Sequence, residues 1–231
     1  MDQYKSLKDK SWAANIQLST SGLVIGTFGN VSAFDSSRSV FAIKPSGVPY
    51  SQLHPSDMVI VDLENKIVSG TLKPSSDTKT HVVLYQNFKG IGGICHTHST
   101  YASAWAQAMK PIPILGTTHA DHIAADIPCT DMMNDEMIKG DYELETGNQI
   151  LQTFQDLSCT EIEMVLVARH GPFTWGGSAS QAVHNSVILE ELAKMAALTV
   201  QIDPGVSRLK KSLIDKHYLR KHGKDAYYGQ G

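Results

Sequence analysis

Gly92-Gly93-Ile94-Cys95-His96-Thr97-His98-Ser99 is the stretch whose reading decides the fold. The apolar approach from Ile91 marks the end of a buried strand, and in a strand side chains at i and i+2 share a face. His96 and His98 therefore project together. Two imidazoles at that spacing can grip one divalent metal. Neutral nitrogen ligands favour zinc, while manganese, cobalt or nickel also fit. The same pattern is equally met by two hydrogen-bonded histidines closing a strand. What decides between them is whether the chain supplies further ligands and a pocket beside them.

Working outward, the segment before this strand, Thr80 to Phe88, has helical spacing, with Ser75-Ser76-Asp77 as candidate caps. Ser99 opens a helix through Ala108 on the other side. Toward the amino terminus lie a hairpin pattern (Met58 to Leu63 with Ile67-Val68), a strand at Val40 to Ile43, and a strand region from Gly22 to Ser32. Tyr4 to Leu18 forms an amphipathic helix offering Leu7, Trp12, Ile16 and Leu18 to the core. Toward the carboxyl terminus come a short strand at Ile112 to Leu115, a helix from Glu145 to Phe154 and a strand at Glu163 to Ala168 that stops at Arg169-His170-Gly171-Pro172. A long helix then runs from Ser178 to Thr199, with Met195 on its buried face, and a last one from Ser207 to His222. The expected class is α/β, a single domain over residues 1–231 with a central, largely antiparallel sheet between helix layers.

The 231 residues suffice for one sizeable core, and 42% hydrophobic with 19% charged residues are ordinary for a globular protein. A formal charge of -3 argues against a nucleic-acid binder. No apolar run nears the roughly 18 residues of a membrane span, and the first residues lack the apolar core of a signal peptide. Cys95, Cys129 and Cys159 are odd in number without a C-x-x-C, which fits a reducing, cytoplasmic setting, with Cys95 as a packed thiol.

His170 ends a strand before a Gly-Pro turn, so three imidazoles from two strand ends could converge with an open position, the arrangement of a catalytic metal. Asp77, at a loop-to-helix junction, is a further carboxylate ligand or base; taken alone it is also a normal helix-start residue. Gly29-Asn30, Lys44-Pro45-Ser46-Gly47 and Ser75-Ser76 combine glycines, hydroxyls, an amide and a cation, a set suited to a phosphate, although each segment also reads as an ordinary turn. No P-loop motif is present. His54, His81, His119, His122, His184 and His222 receive no role.

In their order, Gly29-Asn30-Val31-Ser32, Lys44-Pro45-Ser46-Gly47, Ser75-Ser76-Asp77, His96-Thr97-His98-Ser99 and His170-Gly171 resemble the class II sugar-phosphate aldolase and epimerase family over essentially the whole chain. Gly116-Thr117-Thr118-His119-Ala120-Asp121, the run Lys216 to Gly223 and the closing Ala226-Tyr227-Tyr228-Gly229-Gln230 are similar to the epimerase branch. The aldolase branch usually carries Glu where this chain has Asp77. The resemblance implies a divalent metal, most simply Zn2+, on His96, His98 and His170 with Asp77 beside it. It implies a phosphorylated ketopentose whose phosphate end meets Asn30, Lys44, Ser46, Gly47, Ser75 and Ser76. Asp121 and Tyr228 are the implied acid/base pair, with Thr117, His217 and Arg220 near the substrate. The tail, about 207–231, is implied to reach a neighbouring subunit of a homotetramer. Two alternatives remain open here: an aldolase that releases both halves, and a non-catalytic interaction module.

Overall fold

Alternation along short apolar runs sets the architecture, because neighbouring side chains in a strand serve opposite faces. In the computed structural model, which describes residues 2–224 and 226–227, the strands are β1 (Asn30–Asp35), β2 (Val40–Ile43), β3 (Val59–Asp62), β4 (Ile67–Ser69), β5 (Gly93–His96), β6 (Met164–Val167) and β7 (Gly171–Gly176). They form one sheet in the order β4-β3-β2-β1-β5-β7-β6, every neighbouring pair antiparallel. Phe41, Ile43, Val59, Val61 and Ile94 enter the larger core, whereas Val40, Ala42, Ile60 and Cys95 enter the smaller one on the opposite face. The largely antiparallel sheet between helices is therefore the observed arrangement.

The smaller core lies under α1 (Lys5–Thr20), where Leu7, Ala14 and Leu18 are buried while Trp12 and Ile16 are only half-buried. Two polar residues share that buried stripe. Ser11 Oγ donates to the Ala42 carbonyl at 2.9 Å, and Asn15 bonds Val31 in both directions at 2.8 and 2.9 Å. The helix is thus latched to strand backbone as well as to apolar surface. The larger core lies against α2 (Thr78–Asn87), α3 (Thr100–Ala108) and α6 (Tyr142–Thr153). The shorter helices α4 (Thr117–Ala120) and α5 (Asp135–Lys139) fall between α3 and α6. The 24-residue α7 (Ala179–Ile202) begins on the smaller core and ends on the larger, and α8 (Lys211–His222) packs against α4. Trp175, Phe41 and Phe173 are completely buried, and each such side chain contributes about 1.5–3 kcal/mol.

Four expectations are corrected. The stretch from Gly22 to Gly29 is not a strand, since Gly22, Gly26 and Gly29 all take positive φ (79°, 60° and 82°). Ile112–Leu115 makes a single bridge, Ile112 to Ile127, because the flanking Pro111 and Pro113 cannot donate. Pro172 does not end the chain's run but sits inside β7. Its neighbour Leu166 turns its N–H to Pro128 and its carbonyl to Thr130, so no donor is asked of the proline. On α7, Met195 is exposed, while Asn185, Ser186 and Glu190 are buried in its place.

Candidate metal centre and adjoining cleft

His96 closes the central strand and is 1% exposed. Its Nδ1 lies 2.9 Å from the Pro172 carbonyl, which can only accept, so Nδ1 carries the proton and Nε2 presents its lone pair. The ring stacks on Phe173 at 4.2 Å, which fixes its plane. Strand pairing ends at His96, so the i, i+2 argument does not by itself deliver His98, which lies in the irregular segment between β5 and α3. His98 Nε2 nonetheless comes to 3.1 Å from His96 Nε2. Two nitrogens on one tetrahedral zinc lie about 3.3 Å apart, so this pair needs only a small adjustment to share an ion.

His170 arrives on the three-residue turn between β6 and β7, behind Arg169 at φ 63°. Its ring centroid is 4.7 Å from that of His96 and 5.1 Å from that of His98. The ligand atoms of the three residues all lie within 4.8 Å of one another, the only such group among the described residues. Two glycines make the convergence possible. A Cβ on Gly171 would stand 2.7 Å from the Thr97 carbonyl, and one on Gly29, itself at φ 82°, 3.0 Å from the His96 carbonyl. Burial pushes the His170 imidazole down to about 3, helped by the neighbouring His96, and lowers His98 as well. Both rings are therefore neutral at pH 7, the form that ligates a metal. The three residues fit a divalent cation with positions left open.

Asp77 stands at the start of α2 but does not cap it. Instead its Oδ2 accepts the Asn30 amide at 2.7 Å. Burial alone would raise its carboxyl, but His96, His81, His170 and the Asn30 amide together hold it below the usual carboxylate range. Asp77 lies outside the mutually close histidine group and lines the same cavity. Asn30, paired with His96 across β1 and β5, keeps a buried Oδ1 with no hydrogen-bond partner among the described residues.

The cavity measures about 370 Å³ and is lined by the three histidines, Asp77 and Asn30 together with Lys44, Ser46, Gly47, Ser75 and Ser76. The two loops are stitched together by the Pro45–Pro74 bridge, with Ser46 N–H on Lys73 and Ser75 N–H on Lys44. Lys44 is 2% exposed, yet among the described residues its ammonium meets two carbonyls at 3.4 Å and the Tyr50 ring at 4.7 Å. Burial drops it to about 8. A buried cation without a carboxylate partner among the described residues is a natural seat for an anion. Tyr142 and Glu143 also line the cavity, and Tyr142 Oη sits 3.2 Å from His170 Nδ1. Sequence reasoning missed both because it began α6 a turn late, at Glu145. It also missed a buried chain behind Asp77, in which Ser32 Oγ meets His81 Nδ1 at 2.7 Å and Tyr85 Oη at 2.6 Å.

Thr117, Asp121, His217 and Arg220 do not line this cavity. They gather where α4 meets α8. Arg220 grips Asp121 in a fork at 2.9 and 2.6 Å, and His217 Nδ1 adds a contact at 3.0 Å. Burial would raise the Asp121 carboxyl, but the Arg220 and His217 bonds prevail and hold it low. Tyr228 lies outside the described residues.

A histidine triad that could hold a divalent metal lines one cavity with a buried lysine, on an antiparallel sheet between helices. The sequence profile of the Class II Aldolase and Adducin N-terminal domain matches residues 10–197, and the chain belongs to that family. A curated relative from Salmonella paratyphi A, named L-ribulose-5-phosphate 4-epimerase UlaF, is 49% identical over 226 residues, covering 98% of this chain and 99% of that protein. The Salmonella typhi protein of the same name matches equally. Among solved structures, an L-fuculose 1-phosphate aldolase superposes with a TM-score of 0.76 at 24% identity, covering 92% of this chain and 94% of that one. The L-fuculose 1-phosphate aldolase from Glaciozyma antarctica PI12 gives 0.76 at 17%, covering 97% and 84%. No helix among the described residues is long and apolar enough to cross a membrane.

Proposed function

We propose that the chain catalyses the 4-epimerisation of L-ribulose 5-phosphate to D-xylulose 5-phosphate. The observation that carries the reading is the one cavity lined both by three mutually close imidazoles and by a buried lysine with no carboxylate partner among the described residues. The near-complete match to relatives named for this activity supports the substrate. C4 bears no acidic proton, because the carbonyl is two carbons away, so simple deprotonation cannot invert it. Breaking C3–C4 gives a dihydroxyacetone enediolate and glycolaldehyde phosphate, and turning the aldehyde before the bond re-forms inverts C4. His96, His98 and His170 would hold a divalent metal, zinc by preference, which would supply Lewis acidity for the charge that develops when C3–C4 breaks.

The chain's own residues do the rest. Lys44, Ser46, Gly47, Ser75, Ser76 and Asn30 hold the phosphate end, so the aldehyde turns without leaving. Asp77 keeps negative charge beside the histidines. Proton transfer at the C4 oxygen falls to Asp121 and Tyr228. Arg220 and His217 keep Asp121 ionised, and Thr117 lies one turn of chain before it. Because the Asp121 cluster stands apart from the cleft, the reading places it, with the tail, in the site of a neighbouring copy within a homotetramer. The free thiols of Cys95, Cys129 and Cys159 suit a reducing cytoplasm.

Incubating metal-loaded protein with L-ribulose 5-phosphate and identifying the products tests this. The expected product is D-xylulose 5-phosphate; accumulation of dihydroxyacetone and glycolaldehyde phosphate instead would identify an aldolase.

A further inference from the structure

The segment carrying His98 ends in the first turn of α3, and that turn is closed by a residue from elsewhere. Ser99 occupies the position before the helix, but its side chain accepts no bond from the helix amides; its hydroxyl accepts instead from Thr97 Oγ1 at 3.3 Å. The amides that such a cap normally satisfies are those of Tyr101 and Ala102. Both donate to one carboxylate on α7, Tyr101 N–H to Glu190 Oε1 at 2.8 Å and Ala102 N–H to Glu190 Oε2 at 2.9 Å. Glu190 is 8% exposed, and these two bonds hold its carboxyl group at the amino-terminal end of α3, deep in the protein. On the other side the same segment is held by β7: Thr97 N–H reaches the Pro172 carbonyl at 3.3 Å, and Gly171 admits the Thr97 carbonyl.

We propose that Glu190 is a positioning residue for the metal centre. Its carboxylate fixes the start of α3 and thereby sets where His98, two residues before the helix, presents Nε2 to His96. A carboxylate that only stabilised the helix would sit as well at an exposed start. Here it comes from a different element and bridges two amides three and four residues past a ligand. Nothing in the sequence pattern marks it, because Glu190 falls on the apolar stripe of α7.

The inference rests on the metal reading of the histidines but not on the substrate, and its tests need no sugar. Glu190→Gln keeps the size but turns an N–H2 toward an N–H. It is expected to weaken zinc or cobalt binding about 10–100-fold and to alter the visible spectrum of the cobalt-loaded protein. The control is Asn185→Ala on the same helix, whose bonds run to Glu163 and the Trp175 carbonyl, away from α3. Compared at equal loss of Tm, it is expected to keep wild-type metal affinity and spectrum. Wild-type affinity in Glu190→Gln, or an equal loss in Asn185→Ala, overturns the proposal. Should Glu190→Gln not fold, hydrogen exchange on the wild-type protein decides. Coupling is reciprocal, so zinc should slow exchange at Tyr101 and Ala102 beyond the slowing seen at Lys211 to Ile214 of α8. No metal-dependent change at those two amides contradicts it. If the protein binds metal as described yet epimerises nothing, the functional reading fails while this one stands.

Discussion

The histidine cleft and the Asp121 cluster are built from the same kinds of side chain, and they are satisfied in opposite ways. In the cleft, Lys44 has no carboxylate partner and Asn30 Oδ1 no hydrogen-bond partner among the described residues, and His96 Nε2 meets only a second ring nitrogen there. Around Asp121, each charge is answered within the chain by Arg220 and His217. An unsatisfied buried polar group costs stability, so a site that keeps several is held for a ligand. A satisfied cluster near the surface is held for shape and for a defined charge. The comparison teaches that the chain leaves polar groups of the histidine cleft open to a ligand while closing the Asp121 cluster on itself, which under the proposed function puts the ligand-binding and proton-transfer groups in different places.

The largest expected effect separates the halves. His98→Asn should lose most bound metal and more than about 10²-fold in turnover, exceeding what supporting residues alone cost. Its fold should persist, because the buried core carries the stability; metal analysis and circular dichroism check both points. Asp121→Asn should instead retain full metal content and lose about 10²–10⁴-fold in kcat. Metal loss in that variant would merge the two regions.

Lys44→Met is next. A charge-assisted contact is worth roughly 1.5–3 kcal/mol, so kcat/KM for the phosphorylated sugar should fall by about one to two decades with metal content unchanged. Unaltered KM would remove Lys44 from the site. The smallest effect is a pH dependence. Burial holds Lys44 at about 8 against 10.5 for the free side chain. The unfolded chain binds that proton more tightly, so Lys44 penalises the native state in full below pH 8, and the penalty is relieved as pH rises from about 8 to 10.5. Substrate holding runs the other way, since only the charged form attracts phosphate. KM should climb as pH passes about 8, by up to about tenfold per unit. In Lys44→Arg, which stays charged, that climb should vanish.

The cleft was legible in the sequence because its residues sit at strand ends and in glycine-bearing loops, where punctuation marks them. His96, His98 and His170 each follow an apolar run, and Lys44 to Gly47 interrupts one. β7 was hidden by Gly171-Pro172, since the donor a proline lacks is excused only by what Leu166 does with Pro128 and Thr130. Glu190, Ser11 and Asn15 were hidden for a related reason. Periodicity assigns a helix's buried stripe to apolar side chains, whereas these three use it to reach backbone groups far along the chain. The placement of Asp121 apart from the cleft was beyond local patterns altogether, because it depends on how α8 folds back onto α4.

Mixing two inactive variants tests the division of the site most directly. His98→Asn supplies an intact Asp121, and Asp121→Asn supplies an intact metal centre. After subunit exchange, verified by mass with one variant tagged, a site shared between neighbours should recover up to about one quarter of wild-type turnover, from the sites that draw the intact half from each partner. Verified mixed oligomers that recover none would mean that Asp121 serves its own chain's cleft or no cleft at all.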